Sequence, residues 1–244
     1  MAIWQETFLV RSFDVDGRGI LTPLALLVWM LEAAGRHAVA LGWGIHELQQ
    51  RGMTWMLARL RLAVSALPAW GETVTIRTWP SGVDRLFALR ELELLGGDGN
   101  VLAHATSAWL LLDLGTRRPL RPGPQLAALA EVTPGPREHG VAEALPELAA
   151  VSGASTFLAR TFDLDLNGHV TAATLARWVL ESLPAPTLMG SRLHSLDLDF
   201  RAEVMLGDEV VGEYESRADF NLHRLRRTGD GREVLRGRSS LAPF

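Results

Sequence analysis

The 244-residue chain has no cysteine, a single tyrosine and a formal net charge of only −4. Without cysteine there can be no disulfide, no thiolate metal site and no cysteine nucleophile. A slightly acidic balance argues against nucleic acid as the main partner, because that partner demands a basic face. No run is long and apolar enough to span a bilayer. The most apolar stretch, Leu21 to Trp43, is interrupted by Glu32, Arg36 and His37. The first ten residues carry Glu6 and no basic cluster, so no signal peptide is visible and a cytoplasmic location is expected. A G-x-S-x-G nucleophile elbow and a phosphate loop are also missing, and Gly96 to Gly99 reads as a hairpin turn. Six histidines (His37, His46, His104, His139, His194 and His223) never fall at ligand spacing, so neither a metal nor another cofactor is expected. What is present, 48% hydrophobic and 21% charged residues, suits a globular chain that buries a substantial core.

The densest polar stretch is Phe162-Asp163-Leu164-Asp165-Leu166-Asn167-Gly168-His169-Val170-Thr171, directly ahead of an apolar helical pattern that stops before Pro184. Asp163, Asp165, Asn167 and Gly168 match the opening of an EF-hand loop. Its twelfth position, which needs a bidentate Glu, is Thr174, and the preceding segment reads as a strand, so calcium is not expected. The other reading is a strand entering a helix with Thr171 as N-cap, leaving Asn167 and His169 beside the positive helix end.

The chain repeats itself. An offset of 149 carries Phe13 onto Phe162, Asp14 onto Asp163, Asp16 onto Asp165, Gly19 onto Gly168, Thr22 onto Thr171, Trp29 onto Trp178 and Glu32 onto Glu181. A second offset, 133, carries Phe87 onto Phe220, Leu89 onto Leu222, Leu92 onto Leu225 and Val101 onto Val234. The second copy is therefore shorter by about sixteen residues.

Each copy reads as strand, acidic turn, helix, then four strands. In the first these are Glu6–Phe13, a helix from Leu24 to Leu41 capped by Thr22 with Pro23 at N1, and strands Met53–Leu67, Glu72–Trp79, Leu86–Leu95 and Val101–Leu112. In the second they are Ser155–Phe162, helix Ala172–Leu183, and strands Arg192–Val204, Glu209–Ala218, Phe220–Thr228 and Glu233–Leu241. The first helix is apolar on nearly every face, which predicts a helix wrapped by sheet. One long helix followed by an antiparallel meander is α+β. The expected domains are 1–115, a linker 116–151 with a short helix around Gln125 to Glu131, and 152–244.

The chain resembles the acyl-acyl-carrier-protein thioesterases, a family of tandem (double) hot-dog proteins. The resemblance is carried in order by Arg11-Ser12-Phe13, Glu32-Ala33-Ala34, Trp70-Gly71-Glu72, Ala108-Trp109, Thr116-Arg117-Arg118, Asp165-Leu166-Asn167-Gly168-His169-Val170, Trp178-Val179-Leu180-Glu181-Ser182 and Leu198-Asp199-Phe200-Arg201-Ala202-Glu203. It implies a hydrolase whose site is Asp165, Asn167, His169 and Glu203. It also implies as partner an acyl carrier protein bearing a phosphopantetheine-linked acyl chain; a homodimer is compatible with the sequence. Two departures stand out. Thr171 and Ala172 replace the Asn pair usual after His-Val, and Val204 replaces a Cys found in plant members, which excludes a thiol mechanism.

Thioester hydrolysis needs an activated water, a donor for the developing oxyanion and a proton for the leaving thiolate. The implied roles are Glu203 as general base, His169 as positioner or shuttle for the water, Asn167 as donor to the carbonyl or water, and Asp165 as orienter. In the first copy Arg18 and Ile20 stand at the positions of Asn167 and His169. One active site per chain is therefore expected, in the second copy, with the first packing the acyl chain. Trp29, Trp43 and Trp55 are candidate tunnel residues, and Arg117, Arg118 and Arg121, or Arg224, Arg226, Arg227 and Arg232, are candidate docking residues for the acidic carrier. The rival functions are an acyl-CoA thioesterase of the same fold and a non-catalytic acyl-binding module.

Overall fold

The computed structural model describes residues 3–131, 141 and 143–244. The chain divides into two compact units, Met1–Val141 and Ala142–Phe244. In the first, β1 (Trp4–Leu9), β2 (Met53–Val64), β3 (Thr73–Asp84), β4 (Phe87–Leu95) and β5 (Val101–Asp113) form an antiparallel sheet in the order β1-β3-β4-β5-β2. A two-residue strand, β6 (Pro119–Leu120), pairs with β5. The helices are α1 (Pro23–Ala40), the short α2 (Ile45–Gln50) and α3 (Pro124–Glu131), which packs on β3.

Local chemistry starts α1 where the sequence places it. The Thr22 side chain accepts from Ala25 N–H, and Pro23 occupies the first turn, where a missing donor costs nothing. The helix then buries Leu26, Leu27, Met30, Ala33 and Ala34 against the alternating Val74 and Ile76 of β3 and Leu92 and Leu94 of β4. Each large side chain so buried contributes about 1.5–3 kcal/mol relative to exposure. The wrapping is incomplete, since Val28 and Val39 are 47% and 54% exposed on the far side of α1.

The second unit repeats the plan with β7 (Gly153–Leu158), α4 (Ala172–Glu181), α5 (Ala185–Met189), β8 (Ser191–Phe200), β9 (Glu209–Ser216), β10 (Asn221–Arg227) and β11 (Glu233–Pro243). The strand order is β7-β9-β10-β11-β8, all antiparallel. Thr171 caps α4 by accepting from Thr174 N–H. A Cβ on Gly237 would come within 3.1 Å of Val179, so glycine lets helix and sheet approach closely here. No helix among the described residues is long and apolar enough to cross a membrane.

The tandem hot-dog architecture holds in both halves, and three details differ from expectation. The first strand of each unit ends at Leu9 or Leu158, before the expected Phe13 and Phe162. The chain turns there because Asp14 and Asp163 accept from the backbone N–H of Arg11 and Arg160, and both phenylalanines stand fully in solvent. The helices α2 and α5 and the strand β6 have periods too short to read from sequence. The expected linker helix is α3, whereas residues 132–140 and 142 of that linker lie outside the described residues.

The third difference is register. Leu9 lies opposite Thr73 as Leu158 lies opposite Glu209, and Thr78 faces Leu92 as Tyr214 faces His223. β3 thus maps to β9 at an offset of 136, and β4 to β10 at 131 rather than 133. The sequence match of Leu89 with Leu222 is one of composition. By register, Leu92 takes the place of His223 and Arg90 that of Asn221.

Candidate active site

The site begins with a loop whose shape is written into one carboxylate. Asp165 Oδ1 accepts from the backbone N–H of Asn167 at 2.8 Å and of His169 at 3.1 Å. Its own backbone N–H donates to His169 O at 2.7 Å, and Gly168 N–H donates to Asp165 O. Gly168 sits at φ +77°, a left-handed conformation that a side chain would strain. Leaving the loop, Val170 N–H donates to Val204 O, and His169 forms a bridge with Met205. That bridge sets His169 beside the segment after β8, where Glu203 lies. His169 Nε2 and Glu203 Oε2 are 3.4 Å apart, both partly exposed. Asp165 and Asn167 are exposed.

The first unit builds the same loop bond for bond. Asp16 Oδ1 accepts from Arg18 N–H and Ile20 N–H, Asp16 N–H donates to Ile20 O, and Gly19 N–H donates to Asp16 O at φ +77°. Leu21 N–H donates to Pro68 O, and Ile20 bridges to Ala69. Pro68 therefore stands where Val204 stands, and Leu67 where Glu203 does. The first unit carries Ile20 and Leu67 in place of His169 and Glu203. Burial works to raise the Asp16 carboxyl, but its bonds from Arg18 and Ile20 outweigh that and hold it below the usual carboxylate range. The Leu67 correspondence was invisible in the sequence because its offset, 136, matches neither repeat.

Beyond the pair, two features bear on chemistry. In the first turn of α4, Thr171 N–H is taken by Asp163 O and Thr174 N–H by Thr171 Oγ1. The N–H groups of Ala172 and Ala173 are left uncommitted among the described residues. The second feature is Arg227, which sequence reasoning had placed only among docking residues. Its Nη1 donates to Glu203 O at 3.1 Å and to Asp208 at 3.2 Å, and its Nη2 pairs with Asp230 at 2.6 Å. These bonds push its guanidinium above the ordinary range, so Arg227 is a permanent cation tethering the segment that bears Glu203.

Of the two basic clusters, the second is largely neutralised. Arg224 pairs with Glu213 at 2.8 Å, and Arg227 is committed as described. In the first, Arg118 and Arg121 are exposed and carry no ion pair among the described residues. Asp14 and Asp163 serve the turns: Asp14 pairs with Arg11, and Asp163 with Arg177 at 3.2 Å. Among the described residues no three His, Asp or Glu side chains are placed to hold a metal.

Two family models match the chain: the acyl-ACP thioesterase N-terminal domain over residues 2–129 and the acyl-ACP thioesterase C-terminal domain over 147–238. A palmitoyl-acyl carrier protein thioesterase of Gossypium hirsutum is 26% identical over 99% of this chain, which spans 64% of that relative's length. An oleoyl-acyl carrier protein thioesterase of Arabidopsis thaliana is 28% identical over 96% of this chain and 74% of its own length. Among solved structures, an acyl-ACP thioesterase from Bacteroides thetaiotaomicron is 26% identical with a TM-score of 0.89, each chain 98% covered. The 12:0-ACP thioesterase from Umbellularia californica shares the fold at a TM-score of 0.88, with 23% identity and 99% and 98% coverage. With both domain models matched in order and the tandem hot-dog architecture in place, the chain belongs to the acyl-ACP thioesterase family.

Proposed function

We propose that the chain hydrolyses the thioester between a fatty acyl group and acyl carrier protein, at a single site in the second unit. The observation that supports this reading is the His169–Glu203 pair, 3.4 Å apart, on a scaffold that the first unit duplicates with Ile20 and Leu67. Only the second copy of the scaffold sets an imidazole and a carboxylate side by side at these two positions.

In the proposed step Glu203 removes a proton from a water held by His169, and the water oxygen attacks the thioester carbonyl carbon. The carbonyl oxygen becomes an oxyanion. Asn167 and the uncommitted N–H groups of Ala172 and Ala173 at the α4 terminus are its proposed donors, and the helix end favours negative charge. Collapse breaks the C–S bond, and the proton returns to the departing thiolate, leaving free acid and carrier thiol. Asp165 acts by holding the loop. Val204 and the absence of cysteine exclude a thiol nucleophile. The first unit is assigned to packing the acyl chain.

Thiol release from acyl carriers by the wild type, His169→Ala and Glu203→Gln tests the reading. Both variants should fall by about 10²–10⁴ in turnover. A wild type that retains acyl chains but releases no thiol would show a binding module instead, and faster turnover on acyl-CoA than on acyl carrier protein would reassign the carrier. The exposed Arg118 and Arg121 are the proposed landing point for the acidic carrier. Turnover on carrier-bound substrate should therefore drop with salt while a small acyl thioester is unaffected.

A further inference from the structure

The interior of the first unit holds a cation with no anion to answer it. Arg90 lies on the helix-facing side of β4, where its Nη1 donates to His37 Nδ1 of α1 at 3.0 Å and to Thr78 Oγ1 of β3 at 3.2 Å. Both partners are neutral: a ring nitrogen that accepts from a guanidinium carries no proton, and Thr78 passes its own proton to Glu91 O at 2.8 Å. The two carboxylates of the same strand, Glu91 and Glu93, are spent on other partners. Glu91 accepts from Ser81 and Thr106, and Glu93 pairs with Arg77. Among the described residues Nε and Nη2 of Arg90 have no acceptor. The group is deep enough that burial alone pushes its pKa down to about 10, which still leaves it charged at neutral pH. Yet the residue as a whole keeps part of its surface accessible. Neither Nε nor Nη2 is a fully buried unpaired atom, so both keep surface that a ligand can reach.

Placing a guanidinium in a poorly solvated interior without a counter-ion is costly, and such charges are held where an anion meets them. We propose that the first unit contains a carboxylate-binding site in which Arg90 takes the anion through Nε and Nη2, its ligand an aliphatic chain ending in a carboxylate. The planar pair of donors matches the two carboxylate oxygens, while His37 and Thr78 hold the guanidinium in place. Trp4, stacked on the His37 ring at 5.9 Å and itself only half-buried, gives the chain an apolar neighbour. The carboxylate can come from a free fatty acid or from the far end of an acyl chain that carries a second carboxyl group. The choice of an aliphatic chain rests on the proposed thioesterase reading; the anion site itself does not.

Titration calorimetry with dodecanoate and with dodecanol tests the site without any turnover. The wild type should bind dodecanoate about ten- to a hundredfold more tightly than the alcohol, the usual strength of a charged hydrogen-bonded pair. Arg90→Met should erase the preference, and Arg90→Lys should keep part of it. His169→Ala should leave it intact, which separates this result from any failure of hydrolysis. If Arg90→Met does not fold, ¹³C-carboxyl NMR of labelled dodecanoate on the wild type gives the same answer: the bound carboxyl should stay ionised at least one pH unit below the free acid. Equal binding of acid and alcohol by the wild type, or a preference that survives Arg90→Met, would overturn the proposal. A second arm compares carrier-bound dodecanoyl with the mono-thioester of dodecanedioic acid. A selectivity for the diacid that vanishes in Arg90→Met assigns the site to the far end of the substrate. No such selectivity, with dodecanoate binding retained, assigns it to the free acid.

Discussion

The two units share a backbone and differ in where they keep their polar groups. At the acidic loop the second unit is polar and the first apolar, with His169 and Glu203 against Ile20 and Leu67. Between helix and sheet the second unit is neutral and self-satisfied, and the first is charged. His223 is buried there with Nδ1 at 3.1 Å from Ser182 Oγ and Nε2 at 2.8 Å from Ser239 Oγ. Ser182 gives its proton to Val179 O at 2.6 Å, so the imidazole must donate through Nδ1 and accept from Ser239 through Nε2. Every lone pair and proton of that histidine is used, which makes it structural. Arg90 has donors to spare. A duplicated scaffold thus separates what the fold needs from what the chemistry needs, since a bond present in both copies cannot by itself make a site.

The largest break of that comparison gives the second unit the first unit's side chains. His169→Ile or Glu203→Leu should lower thiol release by about 10²–10⁴-fold with little change in melting temperature. A variant that keeps its rate within about tenfold would remove the pair from the chemistry.

A second test uses acid. Burial pushes the His223 pKa down to about 3 from an ordinary value near 6.5. A depressed folded pKa means that the unfolded chain takes up the proton first. The stabilising difference is therefore fully present above about pH 6.5 and is lost as pH falls toward 3, at about 1.4 kcal/mol per pH unit. Urea midpoints followed from pH 7 to 4 should show this slope, and His223→Gln should flatten it. Arg90 stays charged throughout that range and should add no slope.

Asp16→Ala and Asp165→Ala sharpen the comparison at smaller scale. Each removes an acceptor for two backbone N–H groups, and each should cost about 1 kcal/mol in denaturation. If Asp165→Ala lost turnover with no cost in stability, Asp165 would have a chemical role that Asp16 lacks. The caps should behave as a pair too, with Thr22→Ala and Thr171→Ala each losing about 1 kcal/mol.

Much of this was legible from the chain alone because it is local. Thr22 with Pro23, and Thr171 ahead of Ala172, start helices through bonds reaching three residues, so composition and spacing suffice. Asp165 with Gly168 closes a loop within five residues, and the 149 offset exposes its twin. The strands β2 to β5 and β8 to β11 followed from alternation and turn residues. The early end of the first strand in each unit did not, because Asp14 and Asp163 turn the chain where apolar Phe13 and Phe162 suggest continuation.

By itself, the sequence determined the duplication, the tandem α+β architecture and which copy carries the imidazole, since these rest on short-range spacing and on side-chain identity. Tertiary structure decided the partners that lie far apart along the chain. It set Glu203 beside His169 and Leu67 beside Ile20, moved the β4 to β10 correspondence to 131, tied Arg227 to the Glu203 segment and left Arg90 among neutral neighbours. Strand register and bulges shift such pairings by whole residues, and burial depends on what packs from elsewhere, so neither can be read from neighbours in sequence.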